Sequence, residues 1–319
     1  MFNNDINNIV NAAISGNRRA LSRIISYVES DHAETSNIIS SIKDRIWNAY
    51  RIGITGPPGA GKSTLTNELT KLFLSQNKKV AIVAVDPTSP FSGGALLGDR
   101  IRMNDIGTNN DVFIRSMATR GSLGGLSKKT NDVADILSAI GYDIVIIETV
   151  GVGQSELDIA TTADTTIVAI VPESGDSIQA MKAGLMEIAD LYVINKSDRP
   201  GAEMLQTALS AMLSLKNTRT NDWHPTILQT VATDSKGITE MMEEIFRHKI
   251  FLEKDDALQN KRARNAKLRV KEIVESILRE DVWNEKRTNL LTEEISKVLE
   301  GKLSPYSLAF MIVNSFNKA

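Results

Sequence analysis

The sequence predicts an α/β fold, doubly wound, with a mainly parallel sheet and helical extensions at its N- and C-terminal ends. Three observations lead there. Short, near-continuous apolar runs alternate with helical stretches through the middle of the chain. The first of these runs ends in a glycine-rich loop that opens a helix. Both ends of the chain carry apolar stripes at helical spacing and no strand signal.

Residues 1–49 read as helical. Ile9, Val10, Ala13 and Ile14 form one apolar stripe, and Leu21, Ile24, Ile25 and Val28 a second. Gly16-Asn17 separates them. Ile38, Ile39, Ile42 and Ile46 run up to the first strand, Arg51–Thr55. Val80–Val85, Ile144–Ile147, Thr166–Val171 and Leu191–Ile194 follow, and Thr226–Thr230 is the last strand. Such runs mark strands buried on both faces of a parallel sheet. Helical stretches such as Thr64–Ser75 and Thr130–Ile140 alternate with them, which argues helices on both sides of that sheet. From about Asp255 the strand signal stops. Ala266, Val270, Ile273, Val274, Ile277 and Leu278 make a helical stripe, and Leu290, Leu291, Ile295, Val298 and Leu299 another. Gly301 and Pro305 punctuate before a short helix at Leu308–Phe316. The expected organisation is a helical extension over 1–49, a core over 50–254 and a helical arm over 255–319.

The first loop, Gly56-Pro57-Pro58-Gly59-Ala60-Gly61-Lys62-Ser63-Thr64, matches G-x-x-x-x-G-K-[ST] in full. At an average glycine content of about 7%, that pattern arises by chance in roughly 1% of chains this long. The glycines let backbone N–H groups turn inward around a phosphate. The helix N-terminus adds partial positive charge. Lys62 supplies a point charge to the β- and γ-phosphates, and the Ser63 hydroxyl suits Mg²⁺, which takes oxygen ligands. The core is therefore expected to be of the P-loop NTPase type.

Asn195-Lys196-Ser197-Asp198 follows what counts as the fifth strand and reads N-K-x-D. Asp198 can accept from the ring N–H and the exocyclic amino group of guanine, a donor pair that adenine lacks. A carboxylate left unpaired there is costly, so the discrimination can reach several kcal/mol. Asn195 is expected to tie neighbouring loops together, and the Lys196 stem to lie along the base plane. Val231-Ala232-Thr233, after the last strand, is where backbone N–H groups would meet the guanine carbonyl.

Glu148-Thr149-Val150-Gly151 follows the IVII strand. Gly151 can offer its N–H to a γ-phosphate, and Glu148 can reach Mg²⁺ directly or through water. Gln154 is a candidate for orienting water, with a structural or partner-facing role as the alternative. Asp86, at the end of the second strand, emerges at the sheet edge where ligands bind in open α/β folds. A turn or capping role is its alternative. Arg115 and Arg120 are candidates to stabilise phosphate charge, with surface pairing as the competing reading.

VDPTSPFSGGALLGDRIRM, FIRSMATRGSLGGLS, IIETVGVGQSE and VPESGDSIQAMKAG together resemble the MeaB/ArgK family of P-loop GTPases, and the resemblance covers nearly the whole chain. It implies hydrolysis of GTP to GDP with Mg²⁺, by a G-protein chaperone of an adenosylcobalamin-dependent acyl-CoA mutase, chiefly methylmalonyl-CoA mutase. Such a chaperone gates cofactor loading and protects the mutase. The resemblance also implies a homodimer through the C-terminal helices. It makes Asp86 and Asp99 Mg²⁺-linked switch residues and Asp176–Lys182 a third switch. Glu148 matches the family's replacement of Asp at that position, whereas Glu173 stands where the family often has glycine. Lys62, Asp86, Glu148 and Gln154 are thus the catalytic candidates, and Ser63, Asp86, Asp99 and Glu148 the metal candidates. Two alternatives stay open. One is an ATPase or kinase of lysine/arginine/ornithine transport, against which the guanine-reading NKSD weighs. The other is a metallochaperone GTPase, disfavoured by three His and no Cys.

Composition bounds the rest. A formal net charge of −2 over 319 residues gives no global attraction to nucleic acid or anionic membrane. The absence of cysteine excludes disulfides and thiolate metal sites. The N-terminus lacks the basic start and apolar stretch of a signal peptide, and no apolar run approaches the roughly 20 residues of a spanning helix. A cytoplasmic protein without a nucleic-acid or membrane partner is expected. Lys261, Arg262, Arg264, Lys267, Arg269 and Lys271 read as a solvated helix face.

Overall fold

The computed structural model describes residues 2–86, 104–118, 125–149, 155–172, 184–215 and 222–317. The chain divides into two compact units, residues 1–263 and 264–319.

The first unit is built on a seven-stranded, parallel sheet in the order β3-β2-β4-β1-β5-β6-β7. The strands are β1 (Tyr50–Thr55), β2 (Val80–Asp86), β3 (Val112–Ala118), β4 (Ile144–Thr149), β5 (Thr165–Ile170), β6 (Leu191–Asn195) and β7 (Thr226–Thr230). β1, with β4 and β5 as neighbours, sits in the middle of the sheet, so the loop leaving it opens at the centre of the sheet's C-terminal edge. β3 is absent from the sequence reading. Its apolar run is broken by Arg115 and Ser116, and as an edge strand it is buried at Val112, Phe113 and Met117 but only partly at Ile114–Ser116. The strand before NKSD is therefore the sixth in chain order, not the fifth.

Because strand side chains alternate faces, the sheet carries a core on each side. Ile52, Ile54, Ile82, Ile146, Ile167 and Val193 face α4 (Lys62–Ser75) and the helix Ile238–Glu253. Leu65, Leu69 and Phe73 of α4 are fully buried there, each worth roughly 1.5–3 kcal/mol of apolar burial. On the other face Val83, Val145 and Ile147 meet Val133, Ile136 and Leu137 of the helix Gly125–Ile140. The N-terminal helices α1 (Phe2–Ile14), α2 (Arg18–Glu29) and α3 (Thr35–Ile42) join that same cluster through Ile6, Val10, Ala13, Leu21, Ile24, Ile25, Val28, Ile38 and Ile42. Asn17 caps α2 by accepting from the N–H groups of Arg19 and Ala20.

The root of the C-terminal helix Ala257–Val282 departs from the expectation of a solvated basic face. Arg262 is 9% exposed and grips Asp164 with Nε at 2.8 Å and Nη2 at 2.7 Å, while Nη1 donates to Trp47 O and Nη2 to Ala49 O. Lys261 donates to Asp164 O and pairs with Asp190. The Arg51 and Arg262 guanidinium groups both lie over the Trp47 ring, at 4.9 and 5.3 Å from its centroid. A fork of five donors satisfies a carboxylate and two carbonyls at once, which a solvent-facing arginine does not need to do.

In the second unit the helices Glu285–Leu299 and Pro305–Asn317 pack together. Ser304 caps the latter by accepting from Ser307 N–H. Val270, Val274, Ile277, Leu278 and Trp283 are exposed along the preceding helix. Among the described residues no helix is long and apolar enough to cross a membrane.

Candidate nucleotide site

The phosphate loop turns back from the end of β1 into α4. Two glycines are fixed by close approach. A Cβ on Gly56 (φ +135°) would lie 1.9 Å from Ala169 O of β5, and one on Gly61 (φ +83°) 2.3 Å from the Asn195 amide nitrogen. No side chain fits either place. Lys62, buried at the first turn of α4, donates from Nζ to Gly56 O at 2.9 Å and Pro57 O at 3.0 Å. Its ammonium is therefore held over the loop, where the unpaired N–H groups of the helix start add to its charge.

Beside it, Ser63 Oγ donates to Glu148 Oε1 at 2.5 Å. Both side chains are buried, and β4 sets the carboxylate there by pairing Glu148 with Ile54 of β1. Thr149 Oγ1 donates to Thr55 Oγ1 at 2.9 Å, closing β4 onto β1 one residue further. A hydroxyl and a carboxylate oxygen in contact form a hard donor pair that suits Mg²⁺, an ion that uses one or two protein oxygens together with phosphates and waters. The donor set thus fits the cation that the sequence implies. Asp86 ends β2, the strand next to β4.

Asn195, at the end of β6, links the phosphate loop to the chain after β7. Its Nδ2 donates to Ala60 O of the phosphate loop at 2.9 Å, and its Oδ1 accepts from Thr230 Oγ1 at 3.1 Å and Ala232 N–H at 3.2 Å. One amide so fixes three loops. Lys196 takes a left-handed conformation (φ +56°), Ser197 N–H donates to Thr230 O, and Asp198 is left exposed. After β7 the chain closes a small bridge between Val231 and Lys236 and makes a tight turn over Ala232–Asp234. Ser235 (φ +56°) then donates to Glu68 Oε2 of α4 at 2.9 Å. Sequence reasoning missed this last contact, because its partners are 167 residues apart.

The structure thus gathers Gly56–Thr64, Glu148, Asn195–Asp198 and Val231–Thr233 along the C-terminal edge of the sheet. It does not bring Arg115 to that edge. Arg115 donates to both carboxylate oxygens of Glu29 of α2 from Nε and Nη2, and from Nη2 to Ser26 Oγ. Asp99, Arg120, Gly151, Gln154 and Asp176–Lys182 lie outside the described residues, as does the Asp86 side chain.

A lysine-bearing loop at the start of a helix and a polar edge reaching two strands further define a P-loop nucleotide-binding protein. The comparisons carry that further. The family described as "Methylmalonyl Co-A mutase-associated GTPase MeaB" matches residues 21–287, and the chain belongs to it. A protein of Pyrococcus abyssi is 46% identical over 97% of this chain and 96% of its own length. The GTPase ArgK of Escherichia coli is 36% identical over 91% of this chain and 90% of its own. A crystal structure titled LAO/AO transport system kinase superposes with a TM-score of 0.74 at 28% identity, covering 98% of this chain and 97% of that one. The protein is a GTPase with the P-loop fold.

Proposed function

We propose that this GTPase is the G-protein chaperone of an adenosylcobalamin-dependent acyl-CoA mutase of the methylmalonyl-CoA type, gating cofactor loading in the cytoplasm. The observation that carries the reading is the match to the mutase-associated family over residues 21–287, joined to a site with a built base side. In this reading Lys62 and the α4 N-terminus hold the β- and γ-phosphates and stabilise charge moving onto the leaving oxygen. Ser63 and Glu148, with Asp86 and Asp99 from the second strand and the segment after it, hold Mg²⁺, which supplies neutralisation of phosphate charge. Asp198 reads the ring N–H and amino group of guanine, and Val231–Thr233 the carbonyl. Gly151 meets the γ-phosphate, Gln154 orients water, and Asp176–Lys182 answers to the partner. The exposed apolar residues Val270, Val274, Ile277 and Leu278 support a homodimer through the C-terminal helices.

Three measurements test this. Purified methylmalonyl-CoA mutase added to the protein raises GTP turnover; an unchanged rate over a stoichiometric titration refutes the partner. Replacing Asp198 by Asn shifts preference from GTP to XTP, because the donor and acceptor at that edge exchange. A variant that keeps its preference for GTP removes NKSD from the base site. Tighter binding of ATP than GTP by the unaltered protein would favour the transport-kinase reading.

A further inference from the structure

α4 carries the phosphate loop at its start and Glu68 in its second turn. Glu68 is well enclosed, with its side chain 15% exposed. Its Oε1 accepts from Lys71 Nζ at 2.7 Å and Asn67 Nδ2 at 3.1 Å, and its Oε2 accepts from Ser235 Oγ at 2.9 Å. Burial pushes this carboxyl up, and the hydrogen bonds from Lys71, Ser235 and Asn67 with the Lys71 charge more than reverse that, so it ionises below its ordinary value. Ser235 stands at the end of the turn Ala232–Asp234 in a left-handed conformation uncommon for a residue with a side chain. The same turn is pinned at its other end by Asn195 Oδ1 on Ala232 N–H. The Val231–Thr233 backbone is therefore set from two sides, by the strand that bears the Asp198 edge and by the helix that bears the phosphate loop.

We infer that Glu68, through Ser235, positions the Val231–Thr233 backbone against the 6-oxo group of guanine and so sets part of the preference for a base with oxygen there. The inference rests on the reading that this loop meets the guanine carbonyl. Glu68 and Ser235 touch no nucleotide atom in this arrangement; they are positioning residues. Their removal loosens one edge of the base site and leaves the Asp198 edge in place.

The test compares GTP with 6-thio-GTP, which keeps the ring N–H and the amino group but presents a larger, weaker acceptor at position 6. Equilibrium affinities are measured for the unaltered full-length protein and for Glu68→Ala, Ser235→Ala, the double variant and Glu68→Gln. The unaltered protein binds GTP more tightly than 6-thio-GTP. Each alanine variant loses about fivefold to tenfold in GTP affinity, the net size of one ordinary hydrogen bond, since the lost contact acts on the nucleotide only through the backbone it positions. 6-thio-GTP loses much less, so the ratio between the two falls. The double variant loses no more than either single one, because both remove the same contact, and Glu68→Gln, which keeps an acceptor oxygen, recovers most of the loss. Equal losses for both nucleotides would mean that α4 has merely loosened and would overturn the inference, as would an unchanged GTP affinity in Ser235→Ala. An unaltered protein indifferent to oxygen or sulfur at position 6 would overturn it together with the loop's part in base reading. Asp198→Asn, read with XTP in parallel, reports on the other edge alone, so failure of the guanine reading as a whole shows separately. Thermal melts of the variants within a few degrees of the parent establish that all are folded.

Discussion

His248 makes the stability of the first unit depend on pH in a window that can be calculated. It is 2% exposed, on the helix Ile238–Glu253, against the N-terminal edge of the sheet. Nδ1 meets Thr165 Oγ1 at 2.8 Å, which in turn meets Tyr50 Oη at 2.5 Å, and Nε2 lies 3.5 Å from Asp190 Oδ1. Asp190 fixes the polarity of this chain: Nε2 carries the proton toward the carboxylate, so Nδ1 accepts from Thr165 and Tyr50 donates. Burial is the main cause that lowers the His248 pKa to about 4, aided by Lys261 and opposed by Asp190, Asp164 and Glu244. The unfolded chain titrates near the ordinary value of about 6.5. The folded pKa is the lower of the two, so the full contribution is present above pH 6.5 and is lost as pH falls toward 4. Between pH 7.5 and 4.5 the loss from this one group is about 2–3 kcal/mol. Urea unfolding of the parent and of His248→Gln across that range measures it. The variant starts less stable, having lost the Thr165 contact and its packing on Trp223. Its stability then declines with acid by about 2–3 kcal/mol less than the parent's, the carboxylates being common to both. Parallel pH profiles would refute the burial of a neutral imidazole.

Three further outcomes follow from the geometry. Gly56→Ala places a methyl group on Ala169 O and drives the phosphate loop from β5; GTP affinity measured by calorimetry falls by about two orders of magnitude or more, since the clash is with backbone that cannot turn aside. Arg262→Ala leaves the buried Asp164 carboxylate with the Arg51 N–H in place of the guanidinium fork and destabilises the first unit by about 3 kcal/mol or more in urea unfolding, where a solvated arginine would cost next to nothing. Asn195→Ala removes the links to Ala60, Thr230 and Ala232 together; affinity for GDP falls about tenfold or more, and hydrogen exchange quickens in residues 231–236 as well as in the phosphate loop.

What the sequence made legible is what local physics writes as a continuous string. The loop Gly56–Thr64 is recognisable because its glycines, lysine and serine are needed within one turn of chain, and NKSD because one strand end must present it. The stripes of α1–α3 show that they bury a face. That the face is the β2–β4 side of the sheet follows only from where the chain returns, since Ile24 and Val145 have no sequence relation. The long-range pairs were illegible for the same reason. Arg262 and Asp164 stand 98 residues apart, Arg115 and Glu29 86, Ser235 and Glu68 167. Each residue in isolation reads as an ordinary polar surface residue. Arg115 shows this: of its two readings, phosphate contact and surface pairing, its place on an edge strand beside α2 gives it the second, with the carboxylate of Glu29.

These long-range pairs are not scattered. β5 is held at its start by Asp164, which accepts from Arg51 N–H and from the Arg262 fork, and toward its end it offers Ala169 O as the wall against which Gly56 turns. A phosphate loop packed at that distance tolerates no drift of the strand behind it. A buried ion pair is a poor source of net stability, because desolvation offsets most of its Coulombic gain, but its fork geometry admits a single arrangement. Placing such a pair at the foot of β5, with Arg51 of β1 paired to Asp135 beside it, fixes the relative height of the two strands between which the phosphate loop emerges. The residues that look least functional in the sequence, a basic run taken for solvated surface, thus bear on the placement of the loop that was easiest to read.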